Sequence, residues 1–201
     1  MSVPLSPPFI SDLPLTCDAL AFAVAHHQGQ RRDSDAAPFV LHPLEVSVLL
    51  RNRGYDDEVV AAGLLHDLIE DTDATAAQIE ERFGPRVAGL VTALSDDESI
   101  EDYGERKAAL REQVERAGAE AAAIFAADKV AKARELRATL TRHPETLGDE
   151  AIQRRLEHYE ASLEMLDRAL PDNPLGRQLR FELWALRTLP PPMEQLASDA
   201  G

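Results

Sequence analysis

An apolar run ends in two polar side chains and reads Val59-Val60-Ala61-Ala62-Gly63-Leu64-Leu65-His66-Asp67. Small and aliphatic side chains on every side of this segment predict a helix that is buried on most of its faces. An imidazole and a carboxylate inside such a core are costly unless each finds a partner. A divalent metal ion is one such partner, and a hydrogen-bonded pair within the core is the alternative for an isolated His-Asp dipeptide.

Most of the chain continues this helical period, and no run of alternating β-branched residues is long enough for a strand. Thr16 is expected to cap the first helix, and Thr75 with Gln78 to form a capping box before the fourth. These patterns predict an all-α fold of eight to nine helices. Helices are expected at about residues 16–27, 42–53, 56–70, 75–83, 85–94, 101–117, 119–140, 149–170 and 175–189.

The helices are expected to form a single domain over residues 15–189. A Pro-rich, flexible N-terminal segment, 1–14, is expected before this domain, and a flexible C-terminal tail, 190–201, after it.

The charge and composition of the chain exclude several classes of function. The 201 residues include 36 acidic and 21 basic side chains, for a net charge of −15, which disfavours a duplex DNA or RNA partner. The single cysteine, Cys17, excludes an internal disulfide and favours a reducing, cytoplasmic setting. No apolar run is long enough for a membrane span. An enzyme or binding domain in the cytoplasm is therefore predicted.

Four side chains are candidate metal ligands. His66 and Asp67 end the apolar run, His42 opens the second expected helix, and Asp128 follows the apolar stretch 121–127. Two imidazoles and two carboxylates suit Mn²⁺, Fe²⁺ or Zn²⁺ better than Mg²⁺, which prefers oxygen ligands alone. The alternatives remain open at this point, because His42 before Pro43 is also a plain helix entry and Asp128 is also a partner for a neighbouring cation.

Two further carboxylates follow the apolar run at helical spacing. Glu70 comes four residues after His66, and Asp71 four after Asp67, so each lies one turn farther on the same face. Carboxylates in that position are suited to orienting a water or protonating a leaving group. The alternative is a pair of solvated acids at a helix end.

Basic residues are unevenly distributed along this acidic chain. Only six Lys and Arg residues precede residue 101, whereas 15 follow it. Their position beside the candidate ligands favours a small, strongly anionic substrate, with solvated helix faces as the alternative. The cations in question are Arg31, Arg32, Arg106, Lys107, Lys129 and Lys132.

With these residues in view, the chain resembles the HD-domain metal phosphohydrolases. More narrowly, it is similar to the hydrolase domain of RelA/SpoT proteins and to the small alarmone hydrolases. The matching stretches lie in family order at residues 25–32, 38–43, 61–72, 83–88, 105–107 and 126–129, with a looser likeness around Tyr159.

The resemblance implies a site and a reaction. It implies one Mn²⁺ held by His42, His66, Asp67 and Asp128, with Glu70 and Asp71 as catalytic carboxylates. It further implies that Arg32 packs on the nucleotide base and that Tyr159 and the basic side chains bind substrate. The implied reaction removes pyrophosphate from the 3′ position of the guanosine alarmones ppGpp and pppGpp.

Two positions depart from the family pattern. Asp33 stands where the family commonly has Lys, and Lys132 where it commonly has Asn. Both positions usually touch the nucleotide, so two alternatives accompany the guanosine alarmone. One is hydrolysis of another phosphorylated nucleotide, such as an adenosine alarmone or NADPH, and the other is a catalytically silent nucleotide-binding HD module.

The expected partner is a small anionic nucleotide, with a homo-oligomer as an alternative to the monomer. Because the length leaves no room for a synthetase segment, a stand-alone hydrolase is expected.

Overall fold

The computed structural model describes residues 8–188, and all regular structure within them is helical apart from one isolated bridge between Arg31 and Pro38. The predicted all-α fold is confirmed. Short 3₁₀ turns occupy Pro8–Ile10 and Pro144–Gly148. The α-helices are α1 Pro14–His26, α2 Leu41–Arg51, α3 Asp57–Leu65, α4 Leu68–Asp71, α5 Ala76–Phe83, α6 Pro85–Leu94, α7 Tyr103–Ala117, α8 Ala119–Arg142, α9 Glu150–Ala169 and α10 Pro174–Arg187.

The third expected helix, 56–70, is divided into α3 and α4 by a turn at His66 and Asp67. The backbone stays right-handed through the turn, with φ and ψ of −60° and −32° at His66 and −91° and −6° at Asp67. Side chains of adjacent residues on a regular helix diverge by about 100°. At His66 and Asp67 the backbone departs from a regular helix, and the two side chains approach the same point.

The start of α1 differs from the expectation that Thr16 caps it. The helix begins at Pro14, and the carboxylate of Asp57, at the start of α3, accepts bonds from the backbone N–H groups of Leu15 and Thr16 at 2.9 and 2.8 Å. A residue 41 positions away in sequence thus supplies the cap, which local pattern does not reveal. The capping box of Thr75 and Gln78 is confirmed.

The N-terminal segment is more ordered than the predicted flexible stretch 1–14. Pro8–Ile10 forms a 3₁₀ turn, and Ile10 and Leu13 are buried against the core, because they are apolar and adjoin α1. The remainder of that prediction, residues 1–7, and the predicted tail, 190–201, lie outside the described residues.

Two helices form the centre of the molecule. Every residue from Val59 to Leu65 in α3 is buried, as is every residue from Ala121 to Ala127 in α8. Helix α3 packs against α1, α2, α6 and α8, and at Gly63 a Cβ atom would lie 2.5 Å from Cδ1 of Leu50 in α2. The absence of a side chain at Gly63 therefore lets α2 and α3 approach closely, which brings their polar ends together. Among the described helices, none has both the length and the hydropathy needed to cross a membrane.

Candidate active site

Three separate elements bring four buried polar side chains to one point. His42 lies in the first turn of α2, His66 and Asp67 in the turn after α3, and Asp128 in the middle of α8. Nε2 of His42 is 3.0 Å from Oδ1 of Asp128 and 3.3 Å from Oδ2 of Asp67. One ligand atom from each residue lies within 4.8 Å of those from the other three. We call these four residues the His-Asp cluster.

The orientation of His66 matches that of a metal-binding histidine. Its Nδ1–H donates to the carbonyl of Gly63 at 2.8 Å, so the lone pair of the neutral ring is on Nε2. Nε2 lies 3.0 Å from Oδ1 of Asp67, yet within residues 8–188 neither Nε2 of His66 nor Oδ2 of Asp67, both buried, has a hydrogen-bond partner. Buried polar atoms that lack partners are costly. A divalent cation bound to both atoms would be the partner that each lacks, so the residues present fit a divalent metal.

The charges around the cluster keep its carboxylates ionised. Burial opposes ionisation of Asp67, but the neighbouring His66 and Lys132 outweigh burial and hold its pKa well below the usual range. Burial is outweighed in the same way at Asp128, where Lys129 and Lys132 lower the pKa. Nζ of Lys129 is 2.6 Å from Oδ2 of Asp128, and Nζ of Lys132 is 3.1 Å from Oδ1. Both carboxylates are thus in the form that a metal requires.

The two carboxylates predicted to move protons lie beside the cluster on α4. Glu70 is half-buried, whereas Asp71 is more exposed, and Oε1 of Glu70 accepts a bond from the backbone N–H of Asp96. Burial raises the pKa of each carboxyl, and the negative charge of Asp67 raises both further. A raised pKa brings a carboxyl closer to the pH at which it can both accept and donate a proton.

Side chains that the sequence did not single out support α4. Gln30 donates from Nε2 to the carbonyl of Asp71 at 2.6 Å, and its Oε1 lies 2.7 Å from Nδ1 of buried His27. Asp96 joins two predicted residues, because its N–H bonds Glu70 and its carboxylate pairs with Lys107. His27 and Gln30 lie inside the family-like stretch 25–32, so that stretch was the available signal for them.

A cavity of about 410 Å³, which we call the first cavity, borders the His-Asp cluster through His42. Residues from the loop after α1, from α7, from α8 and from α9 form its wall. The predicted substrate-binding residues that line it are Arg31, Arg32, Lys107, Lys129, Lys132 and Tyr159.

Arg106 does not line the first cavity. Adjacent residues on a helix differ by about 100° in direction, so Arg106 and Lys107 leave α7 in different directions. Nη1 of Arg106 donates to the carbonyl of Ile100 at 2.8 Å. The structure therefore does not bring Arg106 into the first cavity with the other predicted substrate-binding residues, and its role stays a prediction. Conversely, Tyr103, Arg155 and His158 line the cavity although they were not predicted to. The sequence predicts the helices on which they lie, but it does not show which faces of these helices pack around the cavity.

Several cations of the first cavity already have acidic partners. Nε of Arg32 donates to Oδ1 of Asp35 at 3.1 Å, and Lys107 pairs with Asp96. Some of the cations that line the cavity are thus held in place by ion pairs. It also contains Asp33, one of the two departures from the family pattern.

Comparison with known families and relatives agrees with this architecture. Residues 19–153 match the HD domain family. A guanosine-3′,5′-bis(diphosphate) 3′-pyrophosphohydrolase, MESH1, from Drosophila melanogaster is 40% identical over 116 residues, which are 57% of this chain and 64% of that protein. The MESH1 of Xenopus tropicalis is 34% identical over 146 residues, 71% of this chain and 79% of that protein. The chain thus spans less than two thirds of the Drosophila relative.

A solved structure shares the fold over most of both chains. The structure is that of "a metazoan ortholog of SpoT" that "hydrolyzes ppGpp". It superposes on this chain with a TM-score of 0.72 at 31% sequence identity, and the superposition covers 88% of this chain and 97% of the other. The family match covers more than half of the chain and includes all four residues of the His-Asp cluster. The chain therefore belongs to the HD domain family.

Proposed function

We propose that this protein removes pyrophosphate from the 3′ position of ppGpp and pppGpp in a metal-dependent reaction. The observation that carries the proposal is the His-Asp cluster, which adjoins the carboxylates of Glu70 and Asp71 and opens on a cavity lined by cations. The names of the Drosophila and Xenopus relatives, which describe that reaction, support it.

His42, His66, Asp67 and Asp128 would hold the metal, and we propose Mn²⁺ because their mixed nitrogen and oxygen atoms suit it. A bound divalent metal polarises the phosphoryl group and acidifies water. The protein contributes the ionised carboxylates, the fixed imidazole of His66 and a core that excludes other solvent from this point.

Glu70 and Asp71 are assigned to proton transfer. Breaking the bond to the ribose 3′ oxygen leaves an alkoxide that needs a proton, while the attacking water must lose one. Two carboxyls with raised pKa values beside the cluster can supply both functions. The held cations of the first cavity offset the phosphate charges, and Arg32 is assigned to the face of the base.

The test is pyrophosphate release from ppGpp by the pure, Mn²⁺-loaded protein. Turnover that is lost on removing the metal and restored on its return is the expected result. No release from a protein that binds Mn²⁺ and keeps its helical spectrum would reject guanosine alarmones as substrates. The proposal also places the protein in the cytoplasm, a reducing compartment in which the single Cys17 would stay a free thiol.

A second candidate is a different phosphorylated nucleotide, such as an adenosine alarmone or NADPH. It is favoured by the placement of Asp33 and Lys132, because both line the first cavity and Nζ of Lys132 is also 3.7 Å from Oδ1 of Asp67. A phosphate-release panel over these nucleotides, run beside ppGpp, distinguishes the two candidates. Nucleotide binding with no product under any metal would instead indicate a silent HD module.

A further inference from the structure

A second cavity of about 620 Å³ lies between α7 and α9. It shares Tyr103, Lys107 and His158 with the first cavity, so the two spaces meet at these side chains. None of the roles assigned above uses the second cavity. Its position means that a nucleotide held in the first cavity can extend a charged group into the second.

Arg111, in the wall of the second cavity, has N–H groups that form no hydrogen bond within the described residues. The guanidinium is partly buried, and its Nη1 donates to Nδ1 of His158 at 2.8 Å. Within residues 8–188, no carboxylate lies within ion-pair distance of Arg111. By contrast, Arg86 pairs with three carboxylates and Arg137 pairs with Glu182. A guanidinium offers five N–H groups, so several remain for an anion.

The electrostatic potential around His158, beside Arg111, is positive. Because Nδ1 accepts from Arg111, the proton of the neutral ring is on Nε2, which is buried without a partner among the described residues. Burial lowers the pKa of His158 to about 2, and the charges of Lys129, Lys107 and Arg111 contribute to the shift. The ring is therefore a neutral donor in surroundings that favour negative charge.

Acidic residues also line the second cavity, but they lie at its rim. Glu101, Asp102 and Glu157 are exposed, whereas His158 is buried and Arg111 is partly buried. The carboxylate of Asp102 is occupied as the cap of α7, where it accepts from the N–H of Glu105 at 2.8 Å. The deeper part of the cavity is thus cationic in a chain whose net charge is −15.

We propose that the second cavity is a phosphate subsite, in which Arg111 binds a phosphate group other than the one under attack. This inference rests on the proposed function for the nucleotide that occupies the first cavity. Two sources provide the same chemistry: the 5′-phosphates of the substrate, and the free pyrophosphate after cleavage. Both are compact polyanions that match a guanidinium fork.

The test measures binding by calorimetry to the Mn²⁺-loaded protein and its Arg111→Gln variant. The probes are GDP, inorganic pyrophosphate and guanosine 3′-monophosphate, none of which is a substrate of the proposed reaction. Arg111→Gln is expected to weaken GDP binding by about tenfold, since a charge-assisted hydrogen bond is lost. Binding of guanosine 3′-monophosphate should be unchanged, and Arg111→Lys should retain part of the affinity for GDP.

Arg116→Gln is the matched control, because Arg116 lies on the same helix with a side chain that is 71% exposed. Weakening of pyrophosphate alone would assign the subsite to the product rather than to the 5′ end. Equal binding of all three probes by wild type and Arg111→Gln would overturn the proposal, as would a wild type that binds neither GDP nor pyrophosphate. The hydrolysis of ppGpp is measured separately, so failure of the proposed function is distinguishable from failure of this subsite.

Discussion

The His-Asp cluster and the wall of the first cavity lie side by side, but they are built differently. The cluster consists of buried side chains on core helices, with its atoms held within 4.8 Å of one another. The cavity wall consists of a loop and partly exposed helix faces, and several of its cations form ion pairs with nearby acids. Packing in the core sets the geometry of the cluster, whereas individual ion pairs set the wall. Substrate preference can therefore change without loss of the chemistry.

The largest effect is expected where the cluster itself is broken. Asp67→Asn removes a ligand charge at almost constant volume, and it should abolish metal binding and reduce turnover by at least about a thousandfold, because several kcal/mol of charge stabilisation disappear. Metal content and pyrophosphate release are the measurements. Asp73→Asn, at a side chain that is 94% exposed, should change neither. Retention of the full metal content by Asp67→Asn would contradict this assignment of ligands.

The second prediction separates proton transfer from metal binding. Glu70→Gln keeps an oxygen that can accept the N–H of Asp96 but removes the titrating group. Turnover should fall by about 10²- to 10⁴-fold with the metal content unchanged. Glu81→Gln on the exposed side of α5 is the control. Unchanged turnover in Glu70→Gln would remove Glu70 from the mechanism.

The third prediction concerns the packing that supports the cluster. In Gly63→Ala the new Cβ would lie 2.5 Å from Cδ1 of buried Leu50, so either the Leu50 side chain or the contact of α2 with α3 must shift. The free energy of unfolding should fall by about 1–3 kcal/mol, and metal affinity should fall with it.

A glycine on another helix provides the control for Gly63→Ala. At Gly89 in α6 a Cβ atom meets nothing within 4 Å, so Gly89→Ala should raise the free energy of unfolding by about 0.5–1 kcal/mol. Urea denaturation of both variants, with and without Mn²⁺, is the measurement. Equal stability of the two variants would show that the close approach at Gly63 has no energetic importance.

The smallest effect is expected in the cavity wall. Lys132→Asn restores the residue type that the family commonly has beside the cluster, and it should change the ratio of kcat/KM for ppGpp to that for the other nucleotides by about tenfold in favour of ppGpp. Metal content, measured in parallel, tests whether removing a cation from Asp128 alters the cluster. An unchanged ratio would show that Lys132 does not take part in substrate choice.

Much of the fold was predictable, because its signals are local. Helix period placed all nine expected helices within the described residues. Two details changed: the third helix is divided at His66 and Asp67, and α1 begins at Pro14 with no cap from Thr16. For the His-Asp cluster, the cost of unpaired polar residues in an apolar run singled out His66 and Asp67, and the family resemblance added His42 and Asp128.

Other features of the site depend on distant parts of the chain. The cap of α1 by Asp57, the support of Asp71 by Gln30 and the pairing of Arg111 with His158 join residues 41, 41 and 47 positions apart. The position of Arg106 outside the first cavity depends on how α7 is rotated against its neighbours. Such contacts have no local signature in the order of amino acids.

Amino-acid order alone was enough to specify an acidic helical chain with two imidazoles and two carboxylates inside apolar surroundings, because periodicity and the cost of burying charge act on each segment separately. Packing of distant helices was needed to place those groups around one point, to divide the helix at His66 and Asp67, and to join the two cavities. The physical reason is that helix contacts depend on the combined shapes of several segments, which no single segment encodes.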